Sequence, residues 1–225
     1  TGGFQNISII ENSANLGYAA GNNIGIKHGI EKKYKFIWLL NNDVEVKKNS
    51  LFNSIKKVKK GFDVVGSKIL YFDDNKVWAA GGGKLNKFFM TSKNVHHGLN
   101  ADNKLTEDEE FVENHIDYLA GAAMLFKTSS FEKVGLLSED YFLYFEEPDW
   151  FTRAKYKDVR VGYCSNSIIY HHVGASTDNF NKFTKRQHAF KKLIIKNKIK
   201  FTYKFYKMRL PIVLISIVFI EMMNI

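Results

Sequence analysis

The sequence predicts an α/β fold in which a mostly parallel central sheet is flanked by helices, and three observations support this prediction. A β-rich run at residues 7–10 precedes a loop, a helical pattern over residues 18–34 and an apolar strand at residues 36–40, an order typical of a right-handed crossover between parallel strands. Polar side chains directly follow several of the apolar runs. The chain of 225 residues is long enough for one domain with a sizeable core.

Further elements follow the first strand in the order that this fold requires. A second helix is predicted over residues 51–58, and a strand begins at residues 64–66. Short strands and loops are expected over residues 68–111, because three successive glycines at residues 81–83 should break any regular element.

The second half of the chain continues the alternation of helices and strands. Strands are predicted at residues 118–126, 159–163 and 168–170. A short helix over residues 129–134 should end at Gly135. Another helix should begin near Pro148 and run to about residue 155, because proline is tolerated in a first helical turn and acidic residues there complement the helix dipole.

Cysteine content and charge exclude some classes of protein. Cys164 is the only cysteine, which excludes a disulfide within the chain and a cysteine-rich zinc site, and favours a reducing compartment. Of the 33 basic and 23 acidic residues, eleven and one respectively lie from Lys182 onward, so the preceding part holds 22 of each. The net charge of +10 therefore belongs entirely to the end of the chain.

This basic end leads into residues 210–220, which are strongly apolar but shorter than the roughly 20 residues of a membrane-spanning helix. The combination favours contact of residues 182–220 with an anionic membrane surface, and no nucleic acid is expected as a partner. We therefore predict a globular domain over residues 1–178 and a helical tail over residues 179–225, in a cytoplasmic protein peripheral at the inner face of the cell membrane. The alternative is a terminal helix that packs on the body or on another subunit.

Three polar clusters mark the ends of apolar runs, the position where open α/β sheets bind ligands. They are Asn41-Asn42-Asp43, Glu146-Glu147 and His171-His172. A carboxylate with an imidazole suits Mg²⁺ or Mn²⁺ bridging a diphosphate, and a glutamate can act as general base toward a hydroxyl. Each cluster also has a structural interpretation: Asp43 could cap a turn, the glutamates could be first-turn acids of a helix, and only one of two adjacent histidines can face a site.

Four motifs, taken in order, resemble the signature of family 2 glycosyltransferases, in particular the rhamnosyltransferase-like branch. They are NLGYAAGNN at residues 15–23, LLNND at 39–43, FLYFEEPDW at 142–150 with Arg153, and HHVGAS at 171–176. The resemblance implies a GT-A fold, a nucleotide-diphospho-sugar donor, a divalent metal and inversion at the anomeric carbon. It further implies transfer of a sugar, with rhamnose as the nearest guess, to a glycan or lipid-linked glycan acceptor in surface polysaccharide synthesis.

The resemblance also implies roles for individual side chains. By motif position, the residues expected along the donor nucleotide are Asn15, Gly17, Asn22, Asn41 and Asn42. Asp43 and His171 would hold Mg²⁺ or Mn²⁺ and the diphosphate. Glu147 occupies the position of the catalytic base, although the choice between Glu147 and Glu146 stays open. Asp149 and Trp150 are expected on the acceptor side.

The chain departs from the family pattern at three places. Relatives begin with a strand and a base-binding loop that would precede Thr1, so we expect the N-terminal strand to be missing. The metal motif reads Asn-Asn-Asp rather than Asp-x-Asp, and the catalytic pair reads Glu-Glu rather than Glu-Asp. Two alternatives therefore stay open. One is an inactive glycan- or membrane-binding module with the same fold. The other is a nucleotidyltransferase, against which residues 15–23 count because they contain no basic residue.

Overall fold

The computed structural model describes residues 7–172 and 185–223, which form two sheets and several helices. The strands are β1 (Phe36–Leu40), β2 (Val44–Val46), β3 (Val64–Tyr71), β4 (Val77–Ala80), β5 (Gly82–Asn86), β6 (Thr91–Asn94), β7 (Tyr118–Leu119), β8 (Ala123–Lys127) and β9 (Val161–His171). The α-helices are α1 (Gly17–Glu31), α2 (Ser50–Lys59), α3 (Glu109–His115), α4 (Ser129–Val134), α5 (Glu146–Ala154), α6 (Lys185–Phe205) and α7 (Leu210–Met223). Short 3-10 helices lie at Lys104–Glu107 and Lys207–Arg209.

The larger sheet has the strand order β1–β8–β3–β9–β2, and β4 also pairs with β3. Strands β1, β3 and β9 run in one direction, whereas β8, β2 and β4 run in the other. Among the described strands only β3 and β9 pair in parallel, so the prediction of a mostly parallel sheet is wrong. One reason is that β4 follows β3 through a short turn, and such turns join antiparallel strands.

These directions bring the ends of several strands to one edge of the larger sheet. Strands β1 and β9 end at this edge. Strand β8 begins there, since Ala123 pairs with Leu40, and β2 begins there, since Val44 pairs with His171. The loop at residues 41–43 therefore lies beside the end of β9. The edge unites two of the polar clusters that are far apart in the sequence.

The smaller sheet has the order β6–β5–β7 and contains glycines that were expected to break any regular element. Gly82 and Gly83 are residues of strand β5. A Cβ atom at Gly82 would lie 1.9 Å from the carbonyl oxygen of Tyr118, so glycine is what allows β7 to pair this closely. Of the three successive glycines, only Gly81 lies outside a strand, in the bend between β4 and β5, with φ of 70°.

Other differences from the predicted elements have local causes. Residues 7–10 form no strand, and Ile9 is 82% exposed, because a short β-rich run is not stable without a strand to pair with. Strand β9 joins the two strands predicted at residues 159–163 and 168–170 across a bulge, where Cys164 and Ile168 pair with consecutive residues of β3. The strand predicted at residues 118–126 is divided into β7 and β8. Helices α1, α2, α4 and α5 confirm their predictions to within three residues at each end.

Helices α6 and α7 pack on the smaller sheet and on the segment that precedes α5. Phe201 of α6 and Val213 of α7 are completely buried, in a cluster with Leu85, Met90 and Tyr141. At least this part of the basic tail therefore belongs to the folded body, as the alternative interpretation of the tail proposed. Across the described residues, no helix has both the length and the apolar character needed to cross a membrane.

Candidate active site

The edge where β1 and β9 end carries Asp43 beside His171. His171 Nε2 lies 3.2 Å from Asp43 Oδ1, and both side chains are largely buried. The ring of Trp78 packs edge-on against the imidazole, with ring centroids 4.9 Å apart, and restrains its orientation. Burial lowers the pKa of His171, although Asp43 acts in the opposite direction. His171 is therefore neutral near neutral pH, which is the form that binds a metal ion.

The adjacent His172 points to the opposite face of β9, as neighbouring residues of a strand do. Its ring stacks on Phe72, with centroids 3.6 Å apart, and its Nε2 lies 3.3 Å from Glu45 Oε1. Only His171 of the two histidines faces Asp43.

Asp43 and His171 together offer one carboxylate and one imidazole, which fit part of the coordination sphere of Mg²⁺ or Mn²⁺. Within residues 7–172 and 185–223, no cluster of three or more His, Cys, Asp or Glu side chains could hold a metal ion. A divalent ion at this pair would therefore take further ligands from other groups, and phosphate oxygens suit it.

The loop after β1 also places Asn41 and Asn42 at this edge. The backbone N–H of Asn41 donates to the carbonyl oxygen of Ala122 at 3.1 Å, and Asn42 is exposed. Both amides therefore lie on the same short loop as Asp43.

Gly17 joins the first motif to the segment that precedes α5. Its N–H donates to Asn15 Oδ1 at 3.0 Å, and the N–H of Tyr18 donates to the carbonyl oxygen of Phe142 at 2.9 Å. Gly17 has φ of 83°, and a Cβ atom there would lie 2.2 Å from the Phe142 oxygen, so only glycine fits. The Tyr18 hydroxyl donates to the carbonyl oxygen of Gly121 at 2.6 Å. The start of α1 therefore contacts both the segment before α5 and the turn before β8.

The two asparagines inside α1 differ in their surroundings. Asn22 Nδ2 donates to the carbonyl oxygen of Tyr18 within the helix, at 2.9 Å. Asn23 is 1% exposed, and its amide group both donates to and accepts from the backbone of Leu137. Asn23 therefore holds α1 against the segment that follows α4, whereas Asn22 retains some exposure.

Two consecutive residues in the left-handed conformation precede α5. Tyr144 and Phe145 have φ of 67° and 78°, a conformation that costs a non-glycine residue about 1–2 kcal/mol. Asn197 of α6 donates through Nδ2 to the carbonyl oxygens of Leu143 and Tyr144, at 2.9 and 3.1 Å. This contact from α6 holds the strained turn, and the turn sets the direction in which α5 presents its first residues.

The two glutamates at the start of α5 have different surroundings. Glu147 lines a cavity of about 420 Å³, and its Oε1 lies so close to Gly121 that a Cβ atom there would be 2.5 Å away. Glu146 is 1% exposed, and its Oε2 has no hydrogen-bond partner among the described residues. Only Glu147 of the pair faces a space that a substrate can enter.

Burial raises the pKa of both carboxyl groups above the ordinary value of 4.5. The negative charge of Glu147 raises the pKa of Glu146 further, whereas a backbone hydrogen bond from Gly121 favours the ionised form of Glu147. Near neutral pH, Glu146 is therefore the protonated member of the pair and Glu147 is the member that ionises.

The cavity that Glu147 lines has a mostly apolar wall. Its apolar residues include Leu85, Met90, Tyr118, Tyr144, Phe145 and Ile194. Trp78 also lines it, and because the Trp78 ring contacts His171, this wall of the cavity adjoins the Asp43–His171 edge. Lys198 of α6 is the basic side chain among its described lining residues.

Asp149 and Trp150, expected on the acceptor side, are both 0% exposed. Asp149 accepts hydrogen bonds from the Tyr141 hydroxyl at 3.2 Å, Arg153 Nε at 2.8 Å and Lys204 Nζ at 2.6 Å. Trp150 packs in the main core. Neither side chain has a surface that an acceptor could touch, so a role on the acceptor side would be indirect, through the position of α5. Asp149 instead ties α5 to α6.

Three side chains of α6 reach this region without having been predicted from the sequence: Asn197, Lys198 and Lys204. A signal was present in their spacing, because Asn197, Phe201 and Lys204 recur on one face of a helix. The many lysines around them concealed it, since they suggested a solvent- or membrane-facing helix.

The family model described as glycosyl transferase family 2 matches residues 3–135 of the chain. This match covers more than half of the sequence. It includes the motifs at residues 15–23 and 39–43, and it ends before α5.

Two curated proteins are similar over most of the chain. The low-salt glycan biosynthesis hexosyltransferase Agl10 of Haloferax volcanii is 23% identical over 163 residues, which are 71% of this chain and 50% of that protein. The rhamnosyltransferase WbbL of Escherichia coli (strain K12) is 27% identical over 177 residues, which are 75% of this chain and 65% of that protein. The chain therefore spans only part of the length of these relatives.

A solved structure shares the fold. The crystal structure of GalNAc-T7 with UDP, GalNAc and Mn²⁺ superposes with a TM-score of 0.52 at 13% sequence identity, covering 71% of this chain and 31% of that one.

Proposed function

Because the chain belongs to glycosyltransferase family 2 and has the GT-A fold, we propose that it transfers a hexose from a nucleotide-diphospho-sugar donor to a hydroxyl of a glycan or lipid-linked glycan acceptor. The observation that carries the proposal is the position of Glu147 in a cavity whose wall includes Trp78. The Trp78 ring contacts His171, which lies beside Asp43. A base on one side and a diphosphate-binding edge on the other are what an inverting displacement requires.

Glu147 would act as the base. Its carboxylate would take the proton of the acceptor hydroxyl as the hydroxyl oxygen bonds to the anomeric carbon, while the bond from that carbon to the diphosphate breaks and the nucleoside diphosphate leaves. The hydrogen bond from Gly121 supports this role because it favours the ionised carboxylate. A protonated Glu146 supports it as well, since it places no second negative charge beside the base.

Asp43 and His171 would hold Mg²⁺ or Mn²⁺ together with the diphosphate of the donor. When bound, such an ion neutralises the charge that develops on the leaving diphosphate. The presence of UDP and Mn²⁺ with GalNAc-T7, a protein of the same fold, supports the assignment.

The donor nucleotide would lie along Asn15, Gly17, Asn22, Asn41 and Asn42. What supports this placement is that the first motif and the loop after β1 contact adjacent residues. The Tyr18 hydroxyl donates to the carbonyl oxygen of Gly121, and the Asn41 N–H donates to that of Ala122. The names of the two relatives make a hexose the class of sugar to test, beginning with rhamnose.

The protein would work at an anionic membrane surface. Leu214 and Val218 of α7 are 41% and 58% exposed, and Met208, just before α7, is 91% exposed. Lys207 and Arg209 flank Met208 in the sequence. Exposed apolar side chains beside cationic ones match the boundary between acyl chains and anionic headgroups.

The test of this function is a matched pair of substitutions, Glu147→Gln and Glu146→Gln. With the donor and acceptor identified from a panel of nucleotide sugars, Glu147→Gln should lower kcat by about 10²–10⁴-fold and leave donor binding unchanged, because the amide cannot accept a proton. Glu146→Gln should retain most of the activity. Full transfer activity in Glu147→Gln would show that Glu147 is not the base. A loss of activity confined to Glu146→Gln would assign the base to Glu146.

The reaction products distinguish the alternative functions. Release of nucleoside diphosphate from the donor supports glycosyl transfer, whereas pyrophosphate would identify a nucleotidyltransferase. Absence of turnover with every donor in the panel, with Mn²⁺ present, would instead favour a binding module that keeps the fold.

A further inference from the structure

Lys198 is a buried cation that the proposed reaction leaves unused. It is 9% exposed and lines the same cavity as Glu147. Among the described residues, no hydrogen bond or ion pair engages its ammonium group. Burial alone accounts for the lowered pKa of Lys198, with no contribution from a neighbouring carboxylate. An ammonium group that is partly desolvated in an apolar cavity, without an anionic neighbour, is unfavourable unless a ligand supplies the counter-charge.

Lys198 and the proposed base, Glu147, belong to one cavity. Both side chains line one cavity, yet no interaction between their charges contributes to the pKa of either group. The cavity volume of about 420 Å³ is enough for a sugar ring and a small anionic group. The wall between them is aromatic and apolar, which suits the faces of a sugar.

An apolar groove adjoins this cavity. The groove has a volume of about 490 Å³ and lies between α7 and the turn from β5 to β6. Phe89, Ile212, Ile215 and Phe219 supply its apolar surface. Thr91 lines both the groove and the cavity, so the two spaces adjoin on either side of this residue.

We infer that Lys198 binds a phosphate group of the acceptor, and that the apolar chain attached to this phosphate lies in the groove between Phe89 and α7. The order of features then matches one type of molecule: a sugar hydroxyl at Glu147, a phosphate at Lys198 and a hydrocarbon chain beyond Thr91. This inference deepens the proposed function and rests on it for the identification of the ligand as the acceptor. The charge of Lys198 in the cavity and the apolar groove that adjoins it at Thr91 are the observations that favour a phosphate-bearing lipid over a neutral glycan.

Binding of geranyl phosphate to the whole chain, measured by isothermal titration calorimetry, tests the site without any turnover. Geraniol and inorganic phosphate serve as the two half-ligands. Geranyl phosphate should bind more tightly than either, and Lys198→Met should raise its Kd at least about tenfold, because a charge-assisted contact is removed. Lys198→Arg should restore most of the affinity.

Two further variants control for charge and for the groove. Lys196→Met removes the same charge from an exposed position of α6 and should leave the Kd unchanged. Ile215→Asp, at a residue that is 69% exposed, should weaken binding of geranyl phosphate and not of inorganic phosphate.

The outcomes separate a ligand-binding lysine from a structural one. Removal of a buried, unpaired charge should leave the Tm of the ligand-free protein equal or higher in Lys198→Met. A lowered Tm with an unchanged Kd would overturn the inference, as would equal binding of geraniol and geranyl phosphate. Inorganic phosphate that binds as tightly as geranyl phosphate would overturn the lipid part of it. None of these results depends on whether Glu147 is the base.

Discussion

Glu146 and Glu147 are neighbours in the chain, yet the first turn of α5 sends them to different surroundings. Glu147 meets the N–H of Gly121 and an open cavity, whereas Glu146 is 1% exposed and one of its oxygens has no partner among the described residues. Two residues of the same type therefore acquire different pKa values from burial and from each other's charge. This difference is what would allow a Glu-Glu pair to contain one base, as proposed for Glu147.

Replacing Glu146 by Gln should stabilise the protein at alkaline pH and have little effect at acid pH. The pKa of Glu146 is raised in the folded protein, so its contribution to stability is fully present below the unfolded value near 4.5 and is lost as the pH rises through the folded value. The amide avoids that loss, and the free energy of unfolding at about pH 9 should exceed the wild-type value by at least ~1.4 kcal/mol, the equivalent of one pKa unit.

Urea unfolding at about pH 5 and about pH 9 measures this difference. Glu132→Gln, at an exposed residue of α4, is the control and should show no such dependence on pH. A wild-type protein more stable than Glu146→Gln at the higher pH would contradict the raised pKa.

At the scale of elements, the start of α5 depends on a helix that is distant in the sequence. The left-handed pair Tyr144 and Phe145 is unfavourable by itself, and Asn197 of α6 holds it through two hydrogen bonds to backbone carbonyls. Asp149 adds a bond to Lys204 of the same helix. Asn197 is therefore a positioning residue for Glu147.

Asn197→Ala should lower both stability and turnover. The loss of two partly buried hydrogen bonds should cost about 1–3 kcal/mol of unfolding free energy. The kcat should fall by about tenfold or more while the KM for the donor stays constant, because a small displacement of a base is costly. Thermal unfolding and steady-state kinetics measure the two effects.

Asn53→Ala is the control, because Asn53 makes an exposed amide contact, to the carbonyl oxygen of Asn166. A reduced Tm with an unchanged kcat in Asn197→Ala would show that the contact serves stability alone.

Several elements could be predicted from the sequence because their signals are local. Strand β1 is an apolar run that ends at polar residues, and α4 ends at a glycine with positive φ, Gly135. The proximity of Asp43 and His171 could also be predicted from the sequence, since strands that run in one direction end at the same edge of a sheet. The bulge in β9 was not, because its polar residues resemble a loop until β3 is present to pair with them.

The contribution of α6 could not be predicted for a different reason. Asn197 and Lys198 acquire their roles only when α6 packs on the segment before α5. The recurrence of Asn197, Phe201 and Lys204 on one helix face does not specify which surface that face meets. Asp149 and Trp150 were placed by motif position, which says nothing about burial. Their complete burial follows from the packing of α5 against the core.

At the scale of the whole molecule, the lysines of the C-terminal helices differ in their surroundings. Lys204 bonds Asp149, and Lys200 donates to the carbonyl oxygen of Asp140 at 2.8 Å, so part of the positive charge is used within the fold. Lys192 and Lys196 of α6 are exposed instead, as are Leu214 and Val218 of α7. We call these exposed side chains the outward face of the tail.

Binding to lipid vesicles should depend on that outward face. The protein should sediment with vesicles that contain about 30% anionic lipid and less with neutral vesicles, and added salt should release it. Leu214→Glu combined with Val218→Glu should weaken binding severalfold, since two charges enter the apolar face of α7. Phe52→Glu, at an exposed residue of α2, is the control. Equal sedimentation of the double variant and the wild type would exclude α7 as the contact.

The close approach at Gly17 has a consequence for protein engineering. A Cβ atom there would overlap the carbonyl of Phe142, and the next amide bonds that same oxygen. The start of α1 and the segment before α5 are therefore in close steric contact, although about half of the chain separates them. A hybrid enzyme that takes its first segment from one relative, in order to change the donor, should take the segment before α5 from that relative as well.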